Sequence, residues 1–269
     1  MKKDKNYALI TGATSGIGYE LTKIFAQNGY DLVLVARSLE ELNRTAAELS
    51  QYNIEVIVIA KDLFNKDAPA QIYDEVRLKG LIIDVLVNDA GQGIYGKFIE
   101  TDLQKELNIV QLNINACVVL TKFFLKDMVL RGGGKILNLS SIAGKMPGPY
   151  QAVYHGTKAF VHFFSEAIHN EVSDSGVTVT SLLPGATETD FFRKANMENA
   201  KIVREGQLGD PATVAKDGYE ALMAGEDMVI SGLKNKIQVG MSNVMPDSKV
   251  TDKMGKSQEP VTKESKDDR

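Results

Sequence analysis

Short apolar runs alternate along the chain with longer segments of helical period. The runs predict strands at 6–10, 31–36, 54–59, 82–87, 134–139 and 176–182. Two of them, DLVLVA and IEVIVIA, are almost continuously apolar or β-branched, as strands covered on both faces are. The intervening segments predict helices at 16–28, 38–51, 65–78, roughly 101–130, 150–173 and 211–224. This alternation is typical of parallel strands joined by helical crossovers.

The series of strands and helices contains no linker rich in Pro, Gly or Ser and no repeat of fixed period. It therefore predicts one domain over 1–246, of the α/β class, with a single Rossmann-like, doubly wound parallel sheet and helices on both faces. Residues 228–245 predict a last strand and a short helix at the sheet edge. Residues 247–269 carry six acidic and six basic side chains and few apolar ones, so we expect a disordered charged tail.

Composition limits the classes of partner and the cellular location. The 269 residues include 31 Lys and Arg against 35 Asp and Glu, without basic clusters, which argues against nucleic acid and favours a small-molecule substrate. The lone Cys117 cannot form a disulfide within the chain and is expected to be buried. Lys2, Lys3 and Lys5 precede an apolar run over 7–10 only, whereas a signal peptide needs about 7–15 apolar residues and a membrane span about 20. We therefore expect a cytoplasmic protein without a membrane span.

A glycine-rich turn, TGATSGIG, follows the first predicted strand directly. It places Gly12, Gly16 and Gly18 where the strand passes into a helix. Glycine there permits positive φ and close approach of the backbone to a pyrophosphate, while the helix N-terminus offers free N–H groups. A tight structural turn is the alternative for three glycines alone. The position after the first strand favours a dinucleotide site.

The end of the second strand indicates which dinucleotide binds. An Asp or Glu at that point would bind the ribose 2′-hydroxyl of NAD, but the strand ends in Val35, Ala36, Arg37 and Ser38. Arg37 has the geometry to pair with the 2′-phosphate of NADP, so NADP(H) is preferred over NAD(H). The alternative is that Arg37 is a solvated side chain at a strand end.

A tyrosine and a lysine four residues apart form the candidate catalytic pair. Tyr154 and Lys158 lie in a predicted helix and therefore share one face. Tyr19 and Lys23 have the same spacing, so the spacing alone decides little. Ser141 makes the difference, because it lies thirteen residues before Tyr154 and just past the apolar strand KILNL, where a ligand crevice is expected.

Four separated blocks together resemble the classical short-chain dehydrogenase/reductase family over roughly 6–240: TGATSGIG, NDAG at 88–91, Ser141 with YHGTK at 154–158, and PGATET at 184–189. The resemblance implies an oxidoreductase that transfers a hydride between nicotinamide and a carbonyl or alcohol. Tyr154 is then the general acid/base, Ser141 positions the substrate oxygen with it, and Lys158 holds the nicotinamide ribose. The fourth catalytic position of the family falls on Asn113, with Asn115 as its nearby competitor.

The same resemblance implies the cofactor contacts. Asp62 and Leu63 correspond to adenine contacts, and the segment 184–189 to the one that holds the carboxamide; for each Thr in it, a local turn hydrogen bond is the alternative. Asp89 departs from the family, which usually has a second Asn there, and adds charge near the cofactor groove. The full implied set is Gly12, Thr14, Ser15, Gly16, Ile17, Gly18, Arg37, Ser38, Asp62, Leu63, Asn88, Ala90, Gly91, Tyr154, Lys158, Pro184, Gly185, Thr187 and Thr189.

The chemistry explains why these residue types are needed. A carbonyl that receives a hydride develops alkoxide character, so its oxygen needs a nearby acid and a second donor. Free tyrosine titrates near pH 10, and lowering its pKa by about three means stabilising the phenolate by about 4 kcal/mol. We expect Lys158 and an oxidised nicotinamide ring to supply that stabilisation in a dry cleft.

Substrate choice is expected to depend on loops 92–99, 142–151 and 186–208, where Met146, Tyr150, Phe191 and Phe192 indicate either an apolar lining or lid packing. A small or medium carbonyl compound or its alcohol is the expected substrate, and the resemblance implies a homodimer or homotetramer. His155, His162 and His169 recur every seven residues, too far apart to share a metal easily, and no metal is expected. Two other functions stay open: an NADP(H)-sensing regulatory protein, and an interaction module that uses the charged tail.

Overall fold

The computed structural model describes residues 6–261, in which seven strands form one sheet of order β3-β2-β1-β4-β5-β6-β7. All neighbouring strands are parallel. The order reverses between β1 and β4, so the crevice where a doubly wound sheet binds ligands lies at the carboxyl ends of these central strands. The strands are β1 Tyr7–Thr11, β2 Asp31–Ala36, β3 Val56–Ala60, β4 Ile83–Asn88, β5 Gly134–Leu139, β6 Val177–Leu183 and β7 Met228–Ile230.

Helices cover both faces of the sheet. Because side chains alternate along a strand, Leu9 of β1 packs into one hydrophobic cluster and Ile10 into the other. The first cluster contains residues of α3 and α5, the second residues of α1, α2 and α9. The α/β, doubly wound fold is therefore confirmed. The helices are α1 Gly16–Gln27, α2 Leu39–Glu48, α3 Ala68–Leu78, α4 Leu103–Val110, α5 Ala116–Arg131, α6 Ala152–Glu171, α7 Phe191–Lys194, α8 Lys201–Arg204, α9 Pro211–Ala224, α10 Leu233–Ser242 and α11 Asp247–Gln258.

The long helix predicted at roughly 101–130 is interrupted by a π-helical segment, Gln111–Asn115, between α4 and α5. Single π turns of this kind are frequent at functional sites, because they rotate the side chains that follow. Leu103–Arg131 is also long and apolar enough to cross a membrane, with a mean hydropathy of 1.4, and 44% of its most apolar part is buried inside the protein. Leu120 and Phe124 pack in the sheet core, and a buried core helix has the same length and composition.

The expected disorder of the charged tail is wrong for residues 247–258, which form α11. Val250, Met254 and Gln258 recur every four residues, so they share one face, and all three are buried. Val250 and Met254 pack with Met146 and Val239. The composition of 247–269 as a whole is charged, and it therefore concealed this single buried face of α11. Lys2, Lys3 and Lys5 and the remainder of the tail, 262–269, lie outside the described residues.

Replacing Met254 with alanine is expected to lower the free energy of unfolding by about 2 kcal/mol, because it removes a buried side chain from the α11 contact. Lys253→Ala, on the exposed face of the same helix, is the matched control and should change it by less than about 0.5 kcal/mol. Urea unfolding of the two variants measures the difference. Equal effects would show that α11 does not stabilise the domain.

Candidate active site

The glycine turn between β1 and α1 has the shape of a cradle for a phosphate group. Gly12 and Gly16 have φ of 72° and 58°, which favours glycine, and a Cβ on Gly12 would lie 2.7 Å from Asp89 Oδ2. A Cβ on Gly18 would clash with the same carboxylate and with the Gly12 carbonyl oxygen. Ser15, at the N-terminus of α1, makes no capping hydrogen bond, and the first turn has no acidic residue. The helix end is thus open to an anion.

The segment 184–189 lies directly across from this turn. A Cβ on Gly16 would be 3.0 Å from Thr189 Cγ2, and the Pro184 carbonyl accepts from Ile142 N at 3.0 Å. The Thr187 hydroxyl donates to Gly185 O at 3.0 Å and the Thr189 hydroxyl to Thr187 O at 3.4 Å. Both threonines make the local turn bonds considered as the alternative, and a role for them in cofactor binding stays a prediction.

Arg37 extends from the end of β2 and is exposed. Its guanidinium lies 5.5 Å from the centre of the Phe64 ring, and within the described part of the chain it forms no ion pair. Ser38 caps α2 by accepting from Glu41 N at 3.2 Å, and the Glu41 carboxylate accepts from the Thr14 hydroxyl at 3.4 Å. Arg37 is therefore available to an external anion, while Ser38 and Thr14 have partners in the protein.

The two predicted adenine contacts have local roles after β3. Asp62 accepts from Phe64 N at 3.0 Å, which closes a turn, and Leu63 is buried in the core cluster that includes α3. The geometry thus gives each residue a structural function. Contact of either with adenine stays a prediction.

The NDAG turn after β4 joins the glycine turn to the catalytic side of the crevice. The Thr11 hydroxyl accepts from both Asp89 N and Ala90 N at 3.1 Å, which fixes the turn. The Asn88 amide donates to Thr121 Oγ1 at 3.0 Å and to Asn138 Oδ1 at 2.8 Å, so its hydrogen bonds are made with buried side chains of the protein. A Cβ on Gly91 would lie 3.3 Å from Lys158 Nζ. Glycine at this position therefore leaves room for the lysine.

Ser141, Tyr154 and Lys158 meet at the carboxyl end of β5. Lys158 Nζ donates to Leu139 O at 2.7 Å and lies 5.8 Å from the centre of the Tyr154 ring, one helical turn away on α6. The Ser141 hydroxyl donates to Pro184 O at 3.2 Å and accepts from Ala143 N at 3.1 Å. The structure thus assembles the three residues that the sequence singled out.

Asn113 faces this group and Asn115 does not. Asn113 Nδ2 donates to Gln92 O and to Thr157 Oγ1, both at 2.9 Å, and its Oδ1 accepts from Gln92 N at 3.0 Å. Asn115 is exposed and bonds to Gln111 Oε1 at 2.9 Å. The π-helical segment places the two side chains on different sides. A water-holding role for Asn113 stays a prediction.

Burial governs the charge states of the catalytic pair. It raises the pKa of Tyr154, against the opposing effect of a hydrogen bond with Ser141. It lowers the pKa of Lys158 to about 8, against the opposing attraction of Asp89 and Cys117. A lowered tyrosine pKa in the presence of Lys158 and an oxidised nicotinamide ring stays a prediction. At neutral pH Tyr154 is a neutral phenol and Lys158 is mostly a cation.

Asp89 is a buried carboxyl group directly behind the glycine turn. Burial raises its pKa to about 7, opposed by Lys158, by a backbone hydrogen bond from Gly18 and by Lys194. Its Oδ1 has no hydrogen-bond partner among residues 6–261. The carboxyl group therefore gains its negative charge close to neutral pH, directly against Gly12 and Gly18 of the glycine turn.

Four residues were expected to line the substrate side. Among them, Phe191 packs its ring against Tyr154, with ring centres 4.9 Å apart. Met146 and Phe192 are buried in two small clusters, which is the packing role considered as the alternative. Tyr150 stacks on Tyr95 with ring centres 5.7 Å apart. The loops 92–99, 142–151 and 186–208 meet here, since Gly96 N donates to Tyr150 O at 2.9 Å and Tyr95 N to Ala195 O at 3.1 Å.

Several site residues were missed from the sequence. Gln92 directly follows NDAG, and Thr157 lies inside YHGTK, so both had a local signal. Gln151 lies three residues before Tyr154 and is buried, whereas Gln258 reaches the same region from α11 with no local signal at all.

The three histidines of α6 have separate partners, and the described residues contain no group of three His, Cys, Asp or Glu suited to a metal ion. His155 bonds to Met146 O, and His169 to Val179 O, each at 2.8 Å. His162 contacts Glu166 at 3.2 Å.

The model of the short chain dehydrogenase family matches residues 6–200. The chain belongs to this family. It is 39% identical over 185 residues to the very-long-chain 3-oxoacyl-CoA reductase of Anas platyrhynchos, with 66% of this chain and 58% of the relative covered. It is 33% identical over 204 residues to the 17-beta-hydroxysteroid dehydrogenase type 3 of Mus musculus, with 74% and 66% covered. The chain thus spans about six tenths of the length of the first relative.

Solved structures of the short-chain dehydrogenases agree in fold. A short-chain dehydrogenase from Sphingobium yanoikuyae in complex with NADPH has a TM-score of 0.79 at 28% identity, with 90% of this chain and 96% of that one covered. The bulky-bulky ketone specific alcohol dehydrogenase from Comamonas testosteroni has a TM-score of 0.75 at 27% identity, with 91% and 97% covered. The agreement in fold extends over nine tenths of the chain and supports the family assignment.

Substituting Asp89→Asn is expected to make cofactor binding tighter at high pH only. Because the pKa of Asp89 is raised to about 7, the wild-type carboxyl is mostly neutral near about pH 6 and mostly ionised near about pH 8.5, where it repels phosphates. The variant should match wild type near pH 6 and bind NADPH about 3- to 10-fold more tightly near pH 8.5. Fluorescence titration of NADPH measures the dissociation constants.

The matched control for this titration is Asp84→Asn, at the opposite end of β4, where burial also raises the pKa of the carboxyl. It should leave NADPH affinity unchanged at both pH values. A ratio of wild-type to Asp89→Asn affinities that is the same at both pH values would contradict the electrostatic role of Asp89.

Proposed function

We propose that the chain is an NADP(H)-dependent oxidoreductase that transfers a hydride between nicotinamide and a carbonyl or alcohol, with Tyr154 as general acid/base. One observation carries the proposal: Ser141, Tyr154 and Lys158 converge at the carboxyl end of β5, beside a turn built to admit a phosphate. The dinucleotide fits, since the N-terminus of α1 is open to an anion, while glycines at 12 and 18 let the turn pack tightly against Asp89.

NADP(H), when bound, supplies or accepts the hydride, and the protein handles the proton. Ser141 and Tyr154 hydrogen-bond the substrate oxygen, and Tyr154 donates its proton as that oxygen becomes negative. An alkoxide is far more basic than a phenolate, so a neutral tyrosine is competent for this step. Lys158 then stabilises the phenolate that remains. The raised pKa of Tyr154 means that the phenol holds its proton until the substrate oxygen takes it.

Relatives and the site guide the choice of substrate. The names of the first relatives suggest 3-oxoacyl thioesters, with ketosteroids as the second class. The Phe191 ring against Tyr154 offers an apolar surface next to the reacting group. A protein that only sensed NADP(H) would not need Ser141, Tyr154 and Lys158 together, which argues against the regulatory alternative. A cytoplasmic location and a homodimer or homotetramer stay predictions.

Tyr154→Phe is expected to lower turnover by at least about a hundredfold while NADPH binding is kept, because it removes the proton donor and little else. NADPH consumption is measured against acetoacetyl thioesters, aldehydes, ketones and diketones. Tyr19→Phe is the matched control, since Tyr19 precedes Lys23 with the same spacing but bonds Glu48 on the outer face of α1. Full activity of Tyr154→Phe would refute the assignment, and a wild-type protein that binds NADPH but reduces nothing would favour the sensor.

Arg37→Ala is expected to weaken NADPH binding by about 10- to 100-fold and to leave NADH binding unchanged, because the charge-assisted bond involves only the 2′-phosphate. Arg44→Ala, an exposed arginine of α2, is the control and should affect neither cofactor. Parallel titrations of NADPH and NADH test the proposal. Tighter binding of NADH than of NADPH by the wild-type protein would overturn the NADP(H) preference.

A further inference from the structure

Two buried glutamine side chains near Tyr154 each keep one amide atom without a partner. Gln151 is 4% exposed and Gln258 is 2% exposed. Gln151 Nε2, a donor, and Gln258 Oε1, an acceptor, have no hydrogen-bond partner within residues 6–261. Buried polar atoms are nearly always hydrogen-bonded in folded proteins, so two such atoms in one region require an explanation.

Gln151 lies on the wall that carries the catalytic tyrosine. It is the N-cap of α6, three residues before Tyr154. A Cβ on Gly93 would lie 3.1 Å from Gln151 Nε2 and 2.7 Å from Phe191 Cζ, so the amide and the phenyl ring flank the same space. The same Phe191 ring contacts Tyr154. The unpaired donor of Gln151 and the Tyr154 ring therefore lie on either side of Phe191 or along it, at the same end of α6.

Gln258 reaches this region through His155. The ring of His155 bonds to Met146 O through Nδ1 at 2.8 Å, so Nδ1 carries the proton and Nε2 is an acceptor. Gln258 Nε2 donates to that acceptor at 3.1 Å. This bond fixes the orientation of the Gln258 amide and leaves its Oε1 as the unpaired atom. Gln151 lies one helical turn before His155, with the main-chain bond from His155 N to Gln151 O at 2.9 Å, and we call Gln151, His155 and Gln258 the amide cluster.

The loops on the substrate side hold the end of α11 in place. The Tyr95 hydroxyl donates to Gln258 O at 2.5 Å. Beyond the helix, Lys201 N donates to Glu259 O at 3.0 Å and Val261 N to Asn199 O at 2.8 Å. The amide cluster is thus fixed between the catalytic helix and the loops 92–99 and 186–208, where a substrate would lie.

We propose that the amide cluster is a polar subsite for the part of the substrate next to the reacting carbonyl. Gln151 Nε2 donates to the oxygen of a second carbonyl, and Gln258 Oε1 accepts from an N–H or O–H further along the molecule. This inference rests on the proposed function and deepens it, because it names 3-oxoacyl compounds as the substrate class. Such compounds place a second carbonyl oxygen close to the one that Tyr154 protonates.

The test compares two substrates that differ at one group. S-acetoacetyl-N-acetylcysteamine has the second carbonyl and an amide N–H, and its analogue with a methylene in place of the thioester carbonyl keeps only the reacting ketone and the N–H. Gln151→Leu is expected to lower kcat/KM for the thioester by about 10- to 100-fold, and for the analogue by less than about threefold. Gln104→Leu, an exposed glutamine of α4, is the control and should change neither.

Thermal unfolding without cofactor or substrate gives a second readout. Gln151→Leu is expected to match or exceed the melting temperature of wild type, because it removes a buried donor that has no partner in the protein. A clear loss of stability would show that the amide serves the fold and would overturn the subsite.

The kinetic outcomes separate failure of the subsite from failure of the proposed function. If wild type reduces the ketones but Gln151→Leu changes both substrates equally, or neither, the two amides hold only solvent and the subsite is wrong, while the oxidoreductase assignment stands. If wild type reduces neither substrate nor any other compound with NADPH, the proposed function fails and the subsite fails with it.

Discussion

The arrangement of the active site depends on holding one ammonium group inside the protein. Lys158 is 5% exposed, and a buried cation is costly unless its donors are used and an opposite charge is near. The carbonyl of Leu139 at the end of β5 accepts from Nζ, and Asp89 after β4 supplies the charge. Gly91 leaves the space that the lysine occupies. The interactions that stabilise the Lys158 ammonium group therefore hold the ends of β4 and β5 and helix α6 in place relative to one another.

Much of this arrangement follows from local sequence patterns. Buried parallel strands leave nearly continuous apolar runs, so β2 was placed correctly as Asp31–Ala36 from its sequence, and the glycine turn marked the start of α1. Ser141, Tyr154 and Lys158 were found because each lies at a fixed offset from a strand end or from another member of the group.

The sequence failed where a contact joins distant parts of the chain. A helix with one narrow apolar stripe, Val250 and Met254, has the composition of a solvated tail until it packs on Met146. Gln258 meets His155 across 103 positions, and no local pattern predicts such a bond. The raised pKa of Tyr154 without cofactor could not be read from the sequence either, because desolvation depends on everything that surrounds the phenol and the spacing to Lys158 reports only one neighbour.

The two ends of the site follow different physical constraints. The proposed cofactor side is made of backbone turns and glycines, where a single added carbon would collide with Asp89 or the backbone, so its shape is set within a few short motifs of residues 6–200. The substrate side is assembled from side chains of three loops and α11, the last of which lies beyond the segment that the family model matches. The proposed substrate contacts therefore depend on loops and a helix that are far apart along the chain, whereas the proposed cofactor contacts come from the ends of the central strands.

Desolvation also explains how the catalytic pair divides its work. It disfavours the charged form of both groups, so it raises the pKa of Tyr154 and lowers that of Lys158. Since the lysine pKa of about 8 still exceeds neutral pH, burial leaves a neutral phenol beside a cation. In the proposed mechanism that pair suits proton donation, because the phenolate forms only as the substrate oxygen takes the proton, and a positive charge is then already in place. The opposite direction passes through the same phenolate, so the lysine charge that stabilises it serves both directions.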